Sequence, residues 1–267
     1  MGGDSFQVVN PAVVGGVLSL GLFVGILLSL AFGRALGERA IAHRGPDGAP
    51  SLGSIEGAVF ALLGLLIAFT FSGALERFDG RRAQVVDEAN VIGTAWLRLD
   101  LLPASAQPAL REAFRAYVDS RLETYRLLPD LQAAQRALAR SQALQSTIWA
   151  GAVAGAKHAD ARPAAEILLL PALNAMFDIT TVRVAATQRH PPVIVFAMLF
   201  GLALVAALLA GYQSASAPAY GRVHRVGFAA IVALTVYVIL DIEYPRLGFV
   251  RIDAIDQLLV NVRANMK

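Results

Sequence analysis

Four stretches of the chain run without a charged side chain for long enough to matter to a lipid bilayer. Ser5–Gly33 is uncharged and densest in apolar residues from Ala12; Gly57–Leu75 is uncharged between Glu56 and Glu76. Pro191–Gly221 is uncharged and densest over Val193–Tyr212; Val226–Leu240 lies between Arg225 and Asp241. A hydrocarbon core about 30 Å thick takes roughly 20 apolar helical residues to cross. The pattern predicts an all-α membrane protein with spans at about 12–33, 55–75, 192–213 and 224–241, arranged as two hairpins. A secretory leader is the rival reading of the first run. It has only Asp4 before it, no basic n-region, and an apolar run longer than a leader's. The fourth run is the shortest: its 15 residues rise only about 22 Å. Either Arg225 snorkels outward or Asp241 sits near membrane depth, where a carboxylate needs a partner or a wet cavity. Asp241 as a marker of the interface is the plainer reading.

Composition agrees. The 267 residues are 56% hydrophobic and 16% charged, against about 45–50% and about 25% in soluble domains. There is no cysteine, which excludes disulfides, thiolate metal sites and cysteine nucleophiles. The formal charge of +3 is too small an excess to argue for a nucleic-acid partner. Lys157 and Lys267 are the only lysines among 23 basic residues, a skew that fits a GC-rich bacterial coding sequence.

Charges near the spans set the expected orientation. The first loop carries Arg34, Arg39 and Arg44, and the second Arg222 and Arg225. The central region carries Arg77, Arg81, Arg82, Arg183 and Arg189, and the C-terminal tail Arg246, Arg251, Arg263 and Lys267. The balance places both termini and the central region in the cytoplasm of a bacterial inner membrane. Residues 1–75 and 191–242 then form two membrane hairpins, 76–190 a cytoplasmic helical bundle and 243–267 a cytoplasmic tail.

Proline and glycine divide the central region. The second span is expected to run on as a helix from Glu76 to Leu101, before Pro103. Pro108 suits a first helical turn, and Leu110, Phe114, Tyr117, Val118, Leu122 and Tyr125 recur at the spacing of one buried helix face. Asp130 after Pro129 is placed to cap a third helix, which carries Leu131, Leu138, Leu144 and Ile148 and fades near Gly151–Gly155. Pro163 opens a fourth helix, in which Pro171 is expected to make a kink. The stretch Arg44–Gly53 reads as a turn-rich loop.

The second span is two-faced. Gly57, Ala61, Gly64, Ala68 and Ser72 form a stripe of small residues, the kind that lets membrane helices approach closely. The opposite face holds Val59, Leu63, Leu66 and Thr70, and then Arg77, Arg81, Gln84 and Glu88 beyond the membrane. On one reading the large residues face lipid and the arginines anchor at the interface. On the other, several copies surround an axis. Val59, Leu63, Leu66 and Thr70 then form an apolar neck, and Arg77, Arg81 and Glu88 a charged vestibule that slightly favours anions. Four spans are too few for a pore within one subunit, so a pore lies between subunits of a closed ring.

No phosphate-binding glycine loop, metal-binding helix motif or nucleophile elbow is present, and no enzyme, cofactor or metal ion is expected. His158 and Asp160 read as a solvated face. Asp87 and Glu88 with Arg81 and Arg82 read as ion pairs along one helical side, as pairs across subunits, or as a solvated face, rather than as catalytic groups. Trp96 and Trp149 read as core residues.

Three blocks carry a resemblance. They are Gly64–Pro103, with Phe69, Arg77, Arg81, Glu88, Asn90, Gly93, Arg98 and Pro103; Leu173–Pro192, with Asn174, Asp178, Arg183 and Pro191; and the end of the fourth span, with Asp241, Pro245 and Gly248. Together they resemble a bacterial bestrophin-like membrane family of unknown function, which is more distantly similar to bestrophin channels. The resemblance implies four spans, a cytoplasmic helical region and a homo-oligomer, a pentamer in true bestrophins, that conducts inorganic ions through a neck on the second span. The acidic calcium-binding segment that follows the fourth span in bestrophins is missing here. The alternative is a membrane-anchored scaffold or sensor whose cytoplasmic helices bind a protein partner; it requires an exposed apolar patch on those helices and membrane helices packed shut.

Overall fold

In the computed structural model, residues 11–44, 53–128, 130–215, 222–244, 246 and 248–267 are described. Residues 5–10 of the first apolar run, nearly all of the expected loop at 44–53, Pro129, residues 216–221 and Pro245 lie outside them. The described residues form eight α-helices and no strand: α1 (Pro11–Arg44), α2 (Gly53–Arg98), α3 (Gln107–Arg126), α4 (Leu131–Ala156), α5 (Ala165–Gln188), α6 (Val193–Gln213), α7 (Arg222–Glu243) and α8 (Asp253–Ala264). Four stretches are long and apolar enough to cross a membrane: α1, α2, the run Ala165–Gln213 that contains α6, and α7. The chain divides into two compact units, Met1–Glu76 with His190–Tyr244, and Arg77–Arg189 with Pro245–Lys267.

In the first unit the close backbone approaches are those of α1 on α6 and of α1 on α7. Packing is thus organised around α1, and the helices of each expected hairpin do not lie closely along one another. The core is Leu22, Ile26 and Leu30 of α1, Leu199, Ala203, Ala206 and Ala207 of α6, Val232, Val236 and Leu240 of α7, and Leu63 of α2. Phe60 of α2 meets Phe228 of α7 edge to face at 5.8 Å. Glycine sets the α1–α6 crossing. A Cβ on Gly33 would run into the Leu208 carbonyl, one on Gly37 into the Tyr212 carbonyl, and one on Gly211 into the Leu30 carbonyl. Gly33 and Gly37 are four residues apart and so share one helix face, the close-packing arrangement of membrane helices. The stripe expected to do this on α2 does not: a Cβ on Gly57 or Gly64 would meet nothing within 4 Å.

The second unit gathers the far half of α2 with α3, α4, α5 and α8. The apolar stripe of α3 is buried as its spacing requires, with Leu110, Phe114, Tyr117, Val118 and Leu122 in the core beside Ile92, Trp96, Ile148, Leu173 and Met176. Pro108 sits in the first turn of α3, where its missing N–H costs nothing. The Asp130 carboxylate accepts from the Ala133 N–H at 2.9 Å and caps α4. α4 departs from the expected leucine face. Leu131 is exposed, and the buried side is Ala134, Ala137, Ser141, Ile148, Ala152 and Gly155. Small residues let α4 approach α3 closely enough for Ser120 Oγ to donate to the Ala137 carbonyl at 2.7 Å. For the same reason α4 continues through Gly151 and Gly155, which lie against Leu110 and Leu102. Pro171 lies inside α5.

The tail carries a helix that the sequence reading lacked. α8 buries Leu259, and Ile252 and Met266 beyond its two ends are buried too. Arg263 binds the Asp119 carboxylate of α3 at 2.7 and 3.0 Å.

Candidate functional site

α2 is 46 residues long, about 69 Å at 1.5 Å per residue and more than twice a hydrocarbon thickness. One face is buried along nearly its whole length: Leu63, Thr70, Ala74, Arg81, Val85, Glu88 and Ile92. It is the face that the sequence reading offered either to lipid or to an axial neck and vestibule; within the single chain Leu63, Val85 and Ile92 lie in its own apolar core. Leu63 is buried, Val59 and Leu66 pack half-buried against the same cluster, and the Thr70 hydroxyl bonds back to the Leu66 and Ile67 carbonyls at 2.7 and 3.0 Å. The stripe Gly57, Ala61, Gly64, Ala68 and Ser72 is exposed, as are Leu62 (54%), Leu65 (50%) and Phe69 (67%) beside it. Only 11% of the apolar stretch of α2 is buried in the chain, against 28% for α1, 22% for the run with α6 and 50% for α7.

Beyond the membrane stretch the two faces of α2 differ in charge. On the buried face, Arg81 donates to the Ala186 and Arg189 carbonyls at 3.3 and 3.1 Å, satisfying acceptors at the C-terminal end of α5. Arg77 is half-buried. The exposed charged residues here are Glu76, Asp79, Arg82 and Asp87. Arg82 pairs with Asp79 at 3.3 Å, which leaves this face acidic on balance.

Glu88 is fully buried and pairs with neither Arg81 nor Arg82. One carboxylate oxygen accepts from Arg121 Nε of α3 at 2.6 Å, and the other from Arg183 Nη1 of α5. Arg121 Nη2 donates to the Tyr125 hydroxyl at 2.7 Å. The Arg183 and Arg246 guanidiniums lie 4.1 and 4.5 Å from the centre of the Tyr125 ring, within cation–π range. Arg246 in turn holds Asp256 of α8 at 2.6 and 2.9 Å. Burial raises the Tyr125 hydroxyl above its usual range, so it stays protonated. Burial, helped by nearby Arg246, draws Arg183 down to about 9, and it remains cationic at neutral pH. Arg121 Nη1 is buried and has no hydrogen-bond partner among the described residues.

The model of the bestrophin-like domain matches residues 25–255, most of the chain. The chain belongs to the bestrophin-like family. No curated protein and no solved structure matches it. The matched segment of this bestrophin-like chain runs from within α1 into α8 and holds Glu88, Arg121, Arg183 and Arg246.

Sequence reasoning missed the cluster around Glu88, yet a signal for it existed. Glu88, Arg121 and Arg183 each sit in register with a buried stripe: Val85 and Ile92 on α2, Tyr117 and Val118 on α3, Met176 and Thr180 on α5. Three charges at core positions of three helices are best accommodated by one another. The remaining charged candidates are elsewhere. His158 and Asp160 are both exposed, 3.6 Å apart. Asp241 and Glu243 at the end of α7 are buried, and Glu243 binds His190 at 2.9 Å. Trp96 is a core residue, flanked by Phe114 and covered by Arg111 at 4.6 Å; Trp149 is partly buried against Phe177. Among the described residues no group of His, Asp and Glu is arranged to hold a metal ion.

Proposed function

We propose that this bestrophin-like protein is an oligomeric ion channel, a pentamer on the bestrophin resemblance, whose path runs between subunits along α2. The observation that carries this reading is the exposure of α2. An apolar helix left almost uncovered by its own subunit must face lipid or other copies of itself. A small stripe beside a large apolar one suits both a close neighbour and a constriction. The neck falls on Leu62, Leu65 and Phe69, with Gly57, Ala61, Gly64, Ala68 and Ser72 meeting the adjacent copy. The residues first expected at the neck, Val59, Leu63, Leu66 and Thr70, support the helix from behind.

The charge of the exposed face favours cations. Arg77 and Arg81, the basis for expecting anions, turn inward, whereas Glu76, Asp79 and Asp87 outnumber Arg82 on the open side. The arginine distribution supports a bacterial inner-membrane location with both termini and the helical unit in the cytoplasm. A scaffold gains support from Leu97 (69%) and Ile167 (74%), exposed on the helical unit. It gives no reason for α2 to lie open, so the channel is preferred to both scaffold and enzyme.

The test is flux from liposomes holding the purified protein, with sodium or chloride as the only permeant ion. Sodium flux is expected to exceed chloride flux, Phe69→Ala to raise it, and Glu76→Gln with Asp87→Asn to move the reversal potential toward that of a non-selective pore. Absence of flux in either ion from folded, oligomeric protein would overturn the channel. A chloride preference would restore the anion reading.

A further inference from the structure

The line of small residues on α2, from Gly57 to Ser72, does not end with the membrane stretch. At the same helical spacing it continues through Leu75, Asp79, Val86, Asn90, Gly93 and Leu97. From Val86 onward the line carries no charge. Val86, Asn90 and Leu97 are exposed, and a Cβ on Gly93 would meet nothing within 4 Å. α5 has an open face of the same kind: Ile167, Pro171, Asn174, Asp178 and Val182 recur three or four apart and are all exposed. We infer that these faces are the two halves of one subunit interface. The α2 face of each copy docks on the α5 face of the next, with Val86 against Val182, Asn90 against Asp178, and Leu97 against Ile167 and Pro171. This rests on the ring of copies about α2 proposed above, and it names the partner surface beyond the membrane.

Register makes the first argument. Within one chain, Arg81 donates to the Ala186 carbonyl, Glu88 accepts from Arg183, and Arg98 donates to the Leu168 carbonyl. These contacts run the two helices antiparallel. They bring Val86 level with Val182, Asn90 with Asp178, and Leu97 with the turn from Ile167 to Pro171. A ring closed by rotation about an axis along α2 relates neighbours with no shift along that axis. Residues level within one chain are therefore level across the interface.

Direction makes the second. Trp96 of α2 packs on Phe114 of α3, whereas Arg98 reaches α5, so α3 and α5 lie on different flanks of α2. At 100° per residue, Val86, Gly93 and Leu97 lie nearer the Trp96 flank than the Arg98 flank. They are turned away from α5 of their own chain, so an α5 face that meets them belongs to another copy. A ring interface of this kind joins two different faces.

Chemistry makes the third. At each level the faces match: apolar residues meet at both ends, and an amide meets a carboxylate between them. Asn90 and Asp178 enter no hydrogen bond or ion pair among the described residues, so each is open to the other. Gly93 leaves room for close approach. Burial by a second copy also accounts for the exposure of Leu97 and Ile167 without a separate partner protein.

The chain has no cysteine, so disulfide cross-linking of the full chain in detergent tests the contact independently of conduction. Leu97→Cys with Ile167→Cys in one chain is expected to give a ladder of linked copies on oxidation. Either substitution alone is expected to give none, and the two single variants co-expressed are expected to stop at linked pairs. Ser146→Cys with Ile167→Cys, the first on the exposed side of α4, is expected to give no ladder. Asn90→Asp sets two carboxylates against each other. It is expected to raise the concentration at which the oligomer half-dissociates by about tenfold or more, with helical content unchanged, and adding Asp178→Asn is expected to restore assembly. Linked pairs from Leu97→Cys alone would overturn the inference by placing α2 against α2, and a ladder from the Ser146 pair would overturn it by placing α4 there. An oligomer, confirmed by light scattering, that gives no ladder or assembles unchanged with Asn90→Asp would overturn it while the ring about α2 stands. A monomeric parent would overturn both.

Discussion

The two units solve the same problem, holding long helices together, with different chemistry. In the first, α1 meets α6 through Gly33, Gly37 and Gly211, where backbone comes against backbone. In the second, aromatic and branched side chains fill the space between α2, α3 and α5, and Glu88, Arg121 and Arg183 lock together within it. The difference fits the surroundings proposed for the two units. Lipid tails are as apolar as leucine, so burying leucine there gains little, and association depends on close van der Waals contact. Where water is the alternative, apolar burial is itself the driving force, and a buried charge is tolerated only if it is matched.

The largest expected effect comes from breaking the match. Glu88→Ala leaves two arginines facing one another in the core without their carboxylate. Removing one partner of a buried pair costs about 3–5 kcal/mol, so the variant is expected to lose most of its cooperative unfolding transition, read by circular dichroism in mild detergent. Glu88→Gln keeps the shape and one acceptor and is expected to fall between. A transition within 1 °C of the parent for both would mean that the cluster contributes nothing to the second unit.

Next is the glycine crossing. Gly211→Val puts a branched side chain against the Leu30 carbonyl, and overpacking of this kind costs about 1–3 kcal/mol or more when backbone must move. Its transition is expected to fall, with the loss confined to the first unit. Cysteine pairs across α1 and α6 that cross-link in the parent are expected to do so less well in the variant. An unaffected variant would mean that the crossing is looser than glycine requires.

These two sites mark what was legible in the sequence. The helices were, because uncharged runs and the stripe of α3 follow from periodicity alone. The continuous face of α2 from Leu63 to Glu88 was also legible, since helix geometry fixes which residues share a side. The direction in which that face points was not. Large apolar residues suit lipid, a pore or a core equally well, and only the positions of α1, α6 and α7 decide among them. Arg121 could have been recognised as out of place on an apolar stripe. Its partner Glu88 lies 33 positions away, and no local spacing connects them. α8 was overlooked because Ile255, Leu259, Val262 and Met266 were too few to weigh against a charged tail.

A smaller effect separates hydroxyl groups in the two units. Tyr117 of α3 reaches Thr180 of α5 at 3.0 Å, so Tyr117→Phe removes a link between helices. Thr180 keeps contact with Gln145 Nε2 at 3.3 Å and is not orphaned, which holds the expected loss to about 1 kcal/mol. Thr70 bonds only within α2 among its described hydrogen bonds, and Thr70→Val preserves the branched shape. Its transition is expected to stay within about 0.5 kcal/mol of the parent, near the average measured for hydrogen bonds between membrane helices. Equal losses at the two positions would remove the distinction between cross-helix and same-helix bonding.

The smallest effect on folding is at Gly64, where it becomes the sharpest test of what α2 is for. A methyl group there meets nothing within 4 Å in the subunit. Alanine is also the better helix former, by up to about 1 kcal/mol. Gly64→Ala is therefore expected to leave unfolding of a single chain unchanged or slightly improved, the reverse of Gly211→Val. Gly64→Leu should be just as harmless to the subunit. If α2 faces only lipid, the leucine variant will assemble and behave as the parent does, because lipid accommodates any apolar shape. If a neighbouring copy packs on the small stripe, the bulk will drive the copies apart. The oligomer, measured by light scattering or mass photometry in detergent, will then dissociate while the subunit keeps its helical content. A glycine that matters to assembly and not to folding is what distinguishes an interface from a core.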